Sequence, residues 1–427
     1  MNNYCKLLLL LILSISLQTL ANSQEEFNEF NYEEKNVPDY TLPEILRLSD
    51  GSMVSNPSDW TERREEILTL FKQEVYGDMP PHEIAIEYSS IQEKRNALGG
   101  KAILKEIAMT FSGQNKSRTS HILIYLPKES AAPLPIFLGV NFYGNHTIHP
   151  DKSITITESW VRNNADFGIS ENRASETSRG ARQSRWAVEE ILERGYGLAV
   201  IYYGDIDPDF DDGFKNGVHE LMDPASNMED WSSIGAWAYG LSSVMDYFET
   251  DSEIDETKVA VFGHSRLGKT SLWAGALDER FAMVISNDSG CGGAALSRRH
   301  FGETIQRINT NFPHWFCANF KQYNEQENAL PVDQHMLLSL VAPRPLYVAS
   351  ASEDLWADPR GEYLSLYHAG EAYRLFDPET KLSSTSPGVD TPVHSGKLGY
   401  HLRTGKHDVT DYDWERFMDF ADVHLKK

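Results

Sequence analysis

The sequence predicts an α/β protein: a three-layer sandwich around a mostly parallel, doubly wound sheet. Three observations carry this. Short apolar, β-prone runs alternate with helical stretches along most of the chain, as strands joined by crossover helices do. Near the middle, residues 259–276 read VAVFGHSRLGKTSLWAGA, a buried-looking strand, a tight turn and a helix. The later strands end in polar, Gly-rich or acidic loops, where such sheets place their ligands.

The elements follow in order. Lys6 precedes the apolar run 7–13, and small residues follow at Ala21, Asn22 and Ser23. That is a secretory signal peptide, residues 1–23, cut near Ala21 or Ser23. Residues 24–58 are acidic, polar and Pro-bearing, and are expected as an extended N-terminal extension. Residues 59–427 then form one domain, with no internal repeat and no linker. A short amphipathic helix is expected over 63–71. Alternating segments over 84–111 predict strands, including 103–108. Stronger strands are 121–127, 134–140 and 198–203. A helix over 234–248 puts Trp237, Leu241, Met245 and Phe248 on one side and leads into the strand 259–262. Strands over 281–286 and 345–350 follow, then helices over 361–375 and 411–425.

Composition narrows the function. With 427 residues, 41% hydrophobic and 24% charged, the chain is long enough for one large globular domain or two modest ones. A formal net charge of -24 argues against nucleic acid as a partner. Beyond the leader, no apolar stretch is long enough to span a bilayer, so no membrane anchor is expected. Nine Trp and 19 Tyr suit a carbohydrate-contacting surface and a large core equally. Cys5 leaves with the signal. Cys291 and Cys317 remain, either as one disulfide of an exported protein or as two buried thiols. The expected location is the periplasm or the exterior, and the expected state a monomer.

The stretch 263–270 has two readings. GHSRLGKT matches the phosphate-binding pattern G-x-x-x-x-G-K-T. It also places Ser265 on a strand-to-helix elbow that would expose its hydroxyl. Export weighs against ATP chemistry, and no later strand supplies a clear magnesium-binding acid. The elbow reading requires an acid after a later strand and a histidine after the last one. Strand 345–350 runs into Glu353 and Asp354, and Gly405-Lys406-His407-Asp408 precedes the terminal helix. A neutral His407 would take the proton of Ser265, and a carboxylate would fix its tautomer.

At these residues the chain resembles the glucuronoyl esterases, carbohydrate esterase family 15, in their bacterial form. The matching segments are NFYGNH at 141–146, RW at 185–186, YGDIDPD at 203–209, GHSRLGK at 263–269, SGCGG at 289–293 and GKHD at 405–408. They span most of residues 60–425. The resemblance implies an α/β-hydrolase, a serine esterase needing no metal or cofactor. It would cleave esters between lignin alcohols and the 4-O-methyl-glucuronic acid of glucuronoxylan. It puts the nucleophile on Ser265 and an oxyanion-holding arginine on Arg266. It puts uronate contacts on Lys269, Glu303 and Trp356. The catalytic acid has two candidates. Asp354 stands at the usual hydrolase position and ranks first. Asp288, where many members carry a glutamate, ranks second because its shorter side chain has to reach His407. Two alternatives are an acetyl-xylan or pectin-type esterase on the same fold, and a non-catalytic polysaccharide-binding protein.

Overall fold

The computed structural model describes residues 30–79, 84–130, 133–223 and 230–426. The signal peptide, with Cys5, lies outside the described residues. Helix α1 (Pro57–Phe71) starts earlier than its apolar pattern. Asn56 caps it, accepting from the backbone N–H groups of Ser58 and Asp59, and Pro57 stands in the first turn. Three antiparallel strands follow: β1 (Ala85–Ala97), β2 (Ala102–Gly113) and β3 (Lys116–Pro127). Next come β4 (Leu134–Asn141), α2 (Val188–Glu193), β5 (Gly197–Tyr202), α3 (Ser233–Phe248), β6 (Ile254–His264) and α4 (Arg266–Leu277). The chain continues through β7 (Met283–Asn287), α5 (Ile305–Asn311), α6 (Gln334–Ser339), β8 (Leu346–Ala351) and α7 (Pro359–Arg374). It closes with β9 (Val393–Ser395), β10 (Leu398–Arg403) and α8 (Asp411–Leu425).

Among the described residues all the strands join one sheet, in the order β1-β2-β3-β5-β4-β6-β7-β8-β10-β9. From β5 through β4, β6, β7 and β8 to β10 every pairing is parallel. Strand β6 therefore sits at the middle of the parallel part, and its carboxyl end opens beside those of β7, β8 and β10.

Period-two alternation splits the core across the sheet. Ile136, Leu138, Val261, Val284 and Val348 face one way and pack with Trp60, Trp237, Leu272 and Leu366 of α1, α3, α4 and α7. Phe137, Ala260, Phe262, Ile285 and Tyr347 face the other way, against Ile191 of α2 and Trp414 and Phe417 of α8. The Trp414 ring lies 4.7 Å from Phe262 and 5.6 Å from Phe137. These are the three layers.

The strand 398–403 was not expected, although it is the one that delivers His407. Its residues Leu-Gly-Tyr-His-Leu-Arg do not read as an apolar run. His401 and Arg403 are buried because both bond Asp413 of α8. Elsewhere boundaries move by a few residues, and β6 continues through Gly263 and His264 up to Ser265. Cys291 and Cys317 are buried free thiols.

Residues 30–56 lie on the domain. Ile45 and Val54 join its core, and the backbone N–H of Gly302 donates to Asn31 O at 2.8 Å. Among the described residues no helix is long and apolar enough to cross a membrane.

Candidate active site

The site begins at the turn from β6 into α4. Ser265 has φ 59° and ψ -130°, a left-handed backbone that costs a non-glycine residue strain. The surroundings enforce it. Its N–H donates to Asn287 O at 2.9 Å, and its carbonyl accepts from Gly268 N at 2.8 Å. A Cβ on Gly263 would lie 1.8 Å from Leu267 O, so only glycine lets strand and helix approach this closely. Ser265 stands at the start of α4 but makes no side-chain capping bond to it. Its hydroxyl is therefore not spent on the helix. The first-turn N–H groups and the helix dipole favour negative charge at this end.

The acid and the histidine come from neighbouring strands. After β8 and β10 the two chains stay paired: Ser352 N donates to Arg403 O at 2.9 Å and Glu353 N to Gly405 O at 2.9 Å. That pairing sets Asp354 against His407, with Nδ1 and Oδ2 2.6 Å apart. Arg403 braces the histidine loop. Its Nη2 donates to Lys406 O at 2.6 Å and Asp408 O at 2.7 Å, while Nε bonds Asp413. The His407 ring lies 4.5 Å from that of His264, the residue before Ser265. The structure thus brings His407 to the elbow with its Nδ1 face on Asp354.

Asp288 lies close as well, with carboxylate oxygens of Asp288 and Asp354 and a ring nitrogen of His407 all within 4.8 Å. Its environment is different. It is buried, neither oxygen has a hydrogen-bond partner, and Arg403 Nη2 stands 3.7 Å away. Burial, then the nearby Glu362 and Asp354, push its carboxyl well above the usual range. Asp288 thus stands behind the pair without bonding His407.

Lys269 lies one helical turn after Ser265. A phosphate-binding loop would present this amine to a ligand in solution, but here it is buried, donating to Ser289 O with Glu303 4.0 Å away. Burial lowers the Lys269 pKa and raises that of Glu303. A buried, desolvated charge pair of this kind, one helical turn from Ser265, is a candidate ligand contact. Glu303 is held by Trp356, whose carbonyl accepts from Glu303 N at 3.0 Å. A Cβ on Gly302 would lie 2.4 Å from that same carbonyl. Phe30 packs edge-on against Trp356 with ring centres 4.9 Å apart. The N-terminal extension thereby forms part of this wall, which nothing in its polar composition announced.

Arg266 projects from the elbow into an aromatic cage. Its Cζ lies 4.5 Å from the Trp315 ring centre, 5.4 Å from Phe312 and 5.7 Å from Phe142.

The chain is similar to known proteins along nearly its whole length. The family described as glucuronyl esterase of fungi matches residues 218–376. A carbohydrate esterase of an unknown prokaryotic organism is 49% identical over 429 residues, spanning 100% of this chain and 99% of its own. The solved structure of a promiscuous family 15 esterase from a marine bacterial metagenome has a TM-score of 0.87 at 52% identity, covering 93% of this chain and 100% of that one. A glucuronoyl esterase from Solibacter usitatus gives 0.86 at 44% identity, over 92% and 100% of the two chains. Likeness of this extent, on an α/β-hydrolase sheet that carries serine, acid and histidine in that order, places the chain in carbohydrate esterase family 15, the glucuronoyl esterases.

Proposed function

We propose that this ester hydrolase cleaves glucuronic-acid esters through Ser265, His407 and Asp354. Ser265 attacks the C6 carbonyl, and His407 takes its proton and gives it to the departing alcohol. Water activated by His407 then frees the acid. The observation that carries the reading is the 2.6 Å contact of His407 Nδ1 with Asp354, on a histidine set beside the elbow. Asp354 holds the ring and stabilises the imidazolium. Arg266 and the N–H groups at the start of α4 face the developing oxyanion.

Lys269, Glu303 and Trp356 receive the uronate ring, so recognition lies on the acid side and the alcohol side is open. We infer 4-O-methyl-glucuronoyl groups of glucuronoxylan as the acid and lignin alcohols as the leaving groups. The leader sequence supports export to the periplasm or beyond, and a monomer suffices for a site built from one chain. An acetyl-xylan or pectin-type esterase would have no use for the buried Lys269–Glu303 pair.

The test compares kcat/KM for benzyl glucuronate, benzyl galacturonate and acetylated xylan. The expected order puts glucuronate first by at least about tenfold, because hydroxyl recognition by buried polar groups discriminates strongly. Equal rates on all three would defeat acid-side recognition.

A further inference from the structure

The segment YGDIDPD at 203–209 is carried by no step above, yet its last residue touches the site. The Asp209 side chain is fully buried. Its Oδ1 accepts from Trp315 Nε1 at 2.7 Å and faces His314 Nε2 at 3.1 Å. Its Oδ2 accepts from Tyr203 Oη at 3.1 Å, from Arg162 Nη2 at 3.1 Å and from Arg266 Nη1. We propose that Asp209 is the positioning residue for Arg266, locking the guanidinium where it meets the oxyanion.

The cage explains why a lock is needed. Phe312 and Trp315 stack with ring centres 3.7 Å apart, and stacking on aromatic faces leaves a guanidinium free to slide and turn in its plane. One Nη1 contact to a saturated carboxylate removes that freedom. Asp209 stays ionised in this role: burial would raise its carboxyl, but Arg266, His314 and Trp315 outweigh burial and hold it well below the usual range. It also leaves charge for the reaction. Arg162 and Arg266 share the one carboxylate, so the cluster keeps a net positive charge toward the carbonyl. A fixed cation stabilises a transition state without reorganising during the step.

The inference rests on the role given to Arg266, and the test separates the two. The kcat and KM for benzyl glucuronate are measured for wild type, Asp209→Asn, Arg266→Ala and the double variant. Arg266→Ala should lower kcat by roughly 10²–10³-fold, as loss of an oxyanion donor does. Asp209→Asn should lower kcat by roughly 10- to 100-fold, the scale of a misplaced group, with KM nearly unchanged. The double variant should be no slower than Arg266→Ala alone. Trp315→Phe keeps a smaller aromatic face beside Arg266 and removes one donor to Asp209. It should give a smaller kcat loss that also vanishes in the Arg266→Ala background, and it carries the test if Asp209→Asn does not fold. Wild-type kcat in Asp209→Asn, or a loss that multiplies fully with Arg266→Ala, would overturn the positioning role. Wild-type kcat in Arg266→Ala would overturn the oxyanion reading itself, and the proposal with it.

Discussion

Two aspartates stand within reach of one histidine, and their surroundings divide the work. Asp354 bonds His407 directly, whereas Asp288 is buried without a hydrogen-bond partner, and burial pushes its carboxyl up. Asp354→Asn should therefore lower kcat by roughly 10²–10⁴-fold through the wrong imidazole tautomer. Asp288→Asn should cost less than about tenfold, since neither of its oxygens bonds His407 or any other group and the amide has the same shape. Rates on benzyl glucuronate check both, and the reverse ranking would exchange the roles. Ser265, Asp354 and His407 were nominated by chain order, their loop settings and the family's motifs together. Choosing between the acids needed the distance to His407. Asp209 stood in a quoted segment but showed no role, because apart from Tyr203 its partners lie at 162, 266, 314 and 315, far apart in sequence.

At the level of elements, α7 is tied to the sheet beneath the site through one buried carboxyl. Glu362 Oε1 accepts from Ser289 N at 2.7 Å and Gly290 N at 2.9 Å, and Oε2 accepts from Ser350 Oγ at 2.5 Å. It joins α7, β8 and the loop after β7. Burial outweighs these donors and pushes Glu362 up from 4.5 to about 8. As pH rises from 4.5 toward 8, the unfolded chain ionises Glu362 while the folded one keeps it neutral. Folding then binds a proton, and stability falls. In Glu362→Gln the amide oxygen can accept from both N–H groups and the amide N–H can donate to Ser350. The Tm of wild type should fall relative to that of the variant between pH 5 and pH 8 (roughly the span of the shift). A gap constant across the series would contradict the neutral buried acid. The elements themselves were legible where apolar runs were unbroken, as in β4, β5 and β6. Strand β10 was not, because Asp413 of α8 makes burial of His401 and Arg403 affordable.

Across the whole molecule, the parallel strands gather their carboxyl ends at one edge, and every group assigned to the chemistry stands there. Ser265 follows β6, Asp288 follows β7, Asp354 follows β8 and His407 follows β10. This arrangement was legible from alternation and chain order, since a doubly wound sheet leaves few places for a ligand. The reach of residues 30–32 into the wall beside Trp356 was not, because a polar, acidic segment has no periodicity to predict its path. The central claim is that Ser265 carries the acyl group. It is tested most directly by acid-quenching the enzyme during turnover of benzyl glucuronate and mapping the modified peptide, with Ser265→Ala run in parallel. The account predicts a glucuronoyl ester on the peptide containing Ser265 and a loss of kcat of about 10³-fold or more in the variant. An adduct on another residue, or undiminished turnover by Ser265→Ala, would contradict it.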